Sequence, residues 1–154
     1  MADYPLIFKL THNIRCRDSW ARVVTQGRAL MTLEDGEWWC HGVEPGGLTE
    51  HGPDPALAFA AFKAAYEVIL QGLAADSGAF DEFRSKVNWF VGDADLAEDE
   101  RWNQARARIR SGQAVEEPFN ALRREVGDFR AGSWVQRLQN IEAGEEMVAL
   151  AEAA

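Results

Sequence analysis

The sequence predicts an α+β domain: a small antiparallel β-sheet packed against one long helix, followed by a C-terminal helical region. Three observations predict it. Apolar residues alternate with a period of two near the N-terminus, as in Leu6, Phe8 and Leu10. An Asp-Gly pair separates two β-type runs. A long apolar stretch with helical spacing begins at Asp54-Pro55. At 154 residues, with 47% hydrophobic and 27% charged side chains, the chain has the size and composition of one domain with its own core. We divide that domain into a β-rich part, 1–53, and a helical part, 54–154.

The β-rich part opens on Tyr4–Leu10, followed by two β-type runs, Ser19–Thr25 and Arg28–Leu33. Glu34-Asp35-Gly36 is the turn of a hairpin spanning about Ala29–Val43, because Asp-Gly readily supplies the positive φ of a tight reversal. Glu44 to Pro55, with Pro45, Pro53 and four glycines nearby, cannot continue a helix. Asp54 then suits an N-cap and Pro55 the first helical position, so a helix runs from Pro55 to about Leu73. Its Phe59, Phe62, Tyr66, Ile69, Leu70 and Leu73 share one sector suited to the sheet. Leu57, Ala61, Ala64, Ala65 and Val68 form a second apolar sector, which predicts a second helix lying against it. Further helices are predicted over Phe80–Val91, Leu96–Arg110, Val115–Val126 and Ser133–Leu150, packed on the first. The acidic run from Asp93 to Glu100 is a helix entry, where carboxylates are favoured.

Charge excludes some functions. Sixteen Lys and Arg against 25 Asp and Glu give a net charge of −9, which opposes non-specific binding to nucleic acid or an anionic membrane. No apolar run is read as reaching the ~20 residues that span a bilayer. Residues 1–5 lack a basic segment leading into an apolar one. With only Cys16 and Cys40 present, the expectation is a reducing, cytoplasmic protein with two free thiols.

No cofactor or metal motif stands out. His12, His41, His51 and the two cysteines show no zinc-type spacing, and Cys40 and His41 are strand neighbours aimed at opposite faces. No phosphate-binding glycine loop is spelled. A small enzyme with a Cys40/His51 site beside the Glu44–Gly52 loop stays open as an alternative. Arg101, Arg106, Arg108 and Arg110 border an apolar stripe of Trp102, Ala105 and Ile109. Such arginines either lay their stems along a buried face or form the polar rim of a protein interface. Trp38 and Trp39 are adjacent on one strand, so one lies under the long helix. The other is covered by the C-terminal helices or meets a partner.

Asp35-Gly36 at the hairpin, Trp38 on the return strand, Pro45-Gly46-Gly47-Leu48-Thr49, Gly52 and the helix from Pro55 to Leu70 come in an order that resembles the HicB-like antitoxin fold. That fold is a small, partly formed ribonuclease-H-like α+β domain. The resemblance covers roughly residues 28–75. It implies a non-enzymatic antitoxin or accessory protein that binds a protein partner through its sheet face or edge. No helix-turn-helix or ribbon-helix-helix follows, so direct nucleic-acid binding is not implied. Trp38, Trp39, Trp102, Arg106 and Arg110 are the expected partner-binding residues. Self-association into a homo-oligomer through the tryptophans is the remaining alternative.

Overall fold

Asp35 and Gly36 have φ of 51° and 80°, the paired positive values of a two-residue turn matched to the twist of its strands. They join β2 (Trp20–Glu34) to β3 (Glu37–Glu44) in a hairpin. The computed structural model describes residues 3–112 and 129–138. Ahead of the hairpin runs β1 (Asp3–Arg15); after it come β4 (Thr49–Gly52), α1 (Pro55–Ala75), α2 (Phe80–Gly92), α3 (Leu96–Arg110) and β5 (Gly132–Leu138). The fold class is α+β, as the sequence predicts.

The two β-type runs on either side of Gln26-Gly27 form one 15-residue strand, β2, around which the sheet is built. It pairs antiparallel with β1 from Trp20 to Thr32. Its opposite edge is shared: β5 takes Trp20–Gln26, and β3 takes Arg28–Glu34, with β4 outside β3. Alternation gives β2 two different faces. Ala21, Val23, Thr25, Ala29 and Met31 are buried in the main core on the inner face. Leu30 belongs to a second cluster on the outer face.

α1 covers the inner face. Asp54 caps it by accepting from the Leu57 backbone N–H at 2.8 Å, and Ala58, Phe62, Tyr66, Leu70 and Ala74 are buried. Phe8 from β1 meets Phe62 edge to face at 5.6 Å, and the Tyr66 hydroxyl bonds that of Thr25 at 2.6 Å. The first turn of the helix approaches β4 so closely that a Cβ on Gly52 would lie 2.7 Å from the Ala58 nitrogen. α2 lies alongside, with Phe90 stacked on Tyr66 at 6.1 Å.

Four expectations are corrected. Residues 133–138 are strand, not helix, because this segment completes the edge of β2, with Trp134 opposite Val24. The predicted 133–150 helix beyond that point, and Val115–Val126, lie outside the described residues. Thr49–Gly52, read as loop, pairs with β3. α3 does not pack on α1; its Trp102 and Ala105 join Leu30 and Val43 on the outer face of the sheet. The alanine-rich side of α1 carries no second helix among the described residues, and Leu57 and Val68 there are 52% and 66% exposed. α1 also contains a window of mean hydropathy 1.3, long and apolar enough to cross a bilayer by length and composition. Its bulky face nevertheless seats on the sheet as a core helix does.

Candidate functional site

The outer face carries two distinct clusters, one under α3 and one at the β3–β4 end. A β-bulge prepares the first. Between Arg28 and Ala29 the register slips, so that Arg28 faces Glu44 while Ala29 faces Gly42, and Val43 is the extra residue. Val43 then packs with Leu30 and Trp102, and Glu44 reaches Arg28 at 2.9 Å. The second guanidinium arm of Arg28 holds Asp99 of α3. Trp102, 3% exposed, has two guanidinium groups over its ring, Arg28 at 5.0 Å and Arg106 at 5.5 Å. Its indole N–H donates to the Leu6 carbonyl at 3.1 Å. Arg101 adds a two-pronged bond to Asp3, 2.9 and 3.2 Å, which holds the guanidinium charge and raises its pKa. The acidic helix entry is realised as Asp95, which caps α3 through Ala97 and Glu98.

This corrects the expectation for Trp102. Its ring is an internal anchor for α3, with no outward surface to offer a partner. Arg106 lies beside it, part-buried, and Arg110 is exposed at the end of the helix. The sequence missed Arg28. Its signal was a lone basic residue on a strand whose partner, Glu44, becomes visible only once the bulge is known.

The second cluster is centred on Trp39. Trp38 turns inward against the main core and Trp39 turns outward, as adjacent strand residues must. Trp39 is part-buried, and two imidazoles flank it: His41 stacked at 6.2 Å and His51 tilted at 4.8 Å. His51 sits directly across from Trp39 on β4, and its Nδ1 bonds Glu37 Oε2 at 2.7 Å. The ring nitrogens of His41 meet the Thr32 hydroxyl at 3.2 Å and the Thr49 hydroxyl at 3.5 Å. Around this patch the chain is unusually acidic. From Ala29 to Phe62 there is no lysine or arginine, whereas Glu34, Asp35, Glu37, Glu44, Glu50 and Asp54 all fall there. The cross-strand pairing of Trp39 with His51 was hidden because β4 had been read as loop.

Cys40 and His51 do not come together. Cys40 is fully buried on the inner face, opposite Glu50 in the register, while His51 belongs to the outer face with Trp39. Burial pushes the Cys40 thiol up to about 12, the reverse of what a thiolate nucleophile needs. His12 is also inner, edge-on to Tyr66 at 5.5 Å, and burial lowers its pKa. Among the described residues, no three His, Cys, Asp or Glu side chains are grouped to hold a metal ion. No protein-family model, curated protein or solved structure matches the chain.

Proposed function

We propose that this chain is a non-enzymatic protein-binding module of the HicB-like antitoxin or accessory kind, which offers the β3–β4 end of its outer face to a basic protein. The observation that carries this reading is Trp39, an aromatic side chain on the face away from α1. Its flanks are His41 and His51, Glu37 bonds the latter, and the sequence stretch Ala29–Phe62 that holds them has no lysine or arginine. A large aromatic with a polar rim is the usual make-up of an interface anchor. Carboxylates such as Glu37 at this end complement a cationic partner and steer its approach. Two buried free thiols, Cys16 and Cys40, support action in a reducing, cytoplasmic setting.

The test is affinity capture at physiological salt with the wild-type chain and a Trp39→Ala variant, with mass measured by light scattering. The expected result is one basic protein held by the wild type, lost with Trp39→Ala and weakened by added salt. A wild-type chain that stays monomeric and captures nothing overturns the proposal, as does capture that ignores Trp39. A wild-type dimer that Trp39→Ala dissociates replaces the basic partner with a second copy of the chain.

A further inference from the structure

A cavity of about 310 Å³ opens beside α3, lined by Arg28, Glu44, Asn103, Arg106, Phe129 and Ala131 around the Trp102 ring. Its two guanidinium groups differ. Arg28 has a carboxylate on each arm, Glu44 and Asp99. Arg106 has no ion pair or hydrogen bond among the described residues; the Trp102 ring is what holds it in place. Its Nε–H is sealed from water, with no acceptor among the described residues. No carboxylate among the described residues pairs with Arg106, so its terminal N–H groups are left for an acidic ligand at this cavity.

We propose that this cavity binds a small organic monocarboxylate, with its carboxylate on Arg106 and Asn103 and its apolar body against Phe129 and Ala131. A planar carboxylate matches the fork of a guanidinium, and Arg106 is already oriented by its stack on Trp102. Glu44 and Asp99 occupy both arms of Arg28, which leaves Arg106 as the guanidinium at this cavity with no carboxylate paired to it among the described residues. A dianion would meet the Glu44 carboxylate without a second cation to offset it. The site is separate from the Trp39 patch and does not depend on the proposal made for it.

The experiment is calorimetric titration of the full chain with benzoate, inorganic phosphate and chloride at constant ionic strength. Saturable binding of benzoate, tighter than phosphate and absent for chloride, is expected. Arg106→Gln should weaken benzoate roughly tenfold or more, as expected for loss of a hydrogen bond to a charged group, and Arg106→Lys should retain part of the affinity. Circular dichroism establishes that each variant folds; if Arg106→Gln does not, Phe129→Ser must weaken benzoate instead. No saturable benzoate heat, phosphate binding as tight as benzoate, or a folded Arg106→Gln with wild-type affinity each overturns the proposal. So does an unchanged Phe129→Ser.

Discussion

α1 and α3 lie on opposite faces of one sheet, and the residues beneath them have little in common. Between α1 and the sheet, Phe62, Tyr66 and Leu70 of the helix meet Phe8, with one hydroxyl pair, Thr25 and Tyr66, buried among them. Under α3 the apolar cluster is Leu30, Val43, Trp102 and Ala105, ringed by Arg28, Glu44, Asp99, Arg101 and Asp3. The inner helix is held by area removed from water, which salt barely touches. The outer helix is held largely by ion pairs and guanidinium–indole stacking, which salt screens where solvent reaches them. One sheet therefore carries a helix anchored by burial and a helix anchored by charge.

The largest expected effect breaks the inner side. Phe62→Ala should cost about 3–5 kcal/mol, the range for a buried aromatic truncated in a packed core, measured by urea unfolding. The loss should be the same in low and high salt. Next comes Arg28→Met, which leaves Glu44 and Asp99 facing each other without their cation; about 2–3 kcal/mol is expected for bonds to charged groups. Here the loss should shrink as salt rises. If the two variants show equal salt dependence, the contrast between the faces is wrong.

Smaller is Tyr66→Phe, at about 1–2 kcal/mol, because the Thr25 hydroxyl is left buried without its partner. The same face should also be sensitive to alkali. Burial raises Cys40 from 9.0 and Tyr66 from 10.0, each to about 12. The unfolded chain releases these protons first, so stability is full below pH 9 and falls as the pH climbs from 9 towards 12. Denaturation midpoints measured across that window check the sign, and iodoacetamide should label Cys40 slowly at neutral pH. The smallest expected effect is that of Trp39→Ala, under about 1 kcal/mol on folding since the side chain is not part of either core, even though the capture proposed above depends on it.

What the sequence made legible was local. The turn at Asp35-Gly36 and the cap at Asp54-Pro55 are decided by the residues themselves, through positive φ and a side-chain acceptor. The inward stripe of Trp102 and Ala105 was likewise readable from helical spacing. Which sheet face receives that stripe was not, because the choice depends on a bulge and on Arg28, far away in the chain. The strand at Gly132–Leu138 follows from pairing with β2, more than a hundred positions upstream, a partner that its own seven residues do not announce. The alanine side of α1 invited a neighbouring helix, and none lies there among the described residues; small side chains lose little by facing water. At the candidate site, Trp39 was legible from adjacency to Trp38, whereas His41 and Glu37 joined it only through the registers of β3 and β4.

The shared edge of β2 has a consequence for how the chain is made. Its Arg28–Glu34 portion finds β3 within the next ten residues, whereas Trp20–Gln26 waits for Gly132–Leu138. During synthesis from the N-terminus, one half of the same strand is therefore satisfied early and the other stays open until Gly132–Leu138 has emerged. Nascent chains halted at residue 112 should be cleaved by protease between Arg22 and Gln26, and those extended past Leu138 should resist.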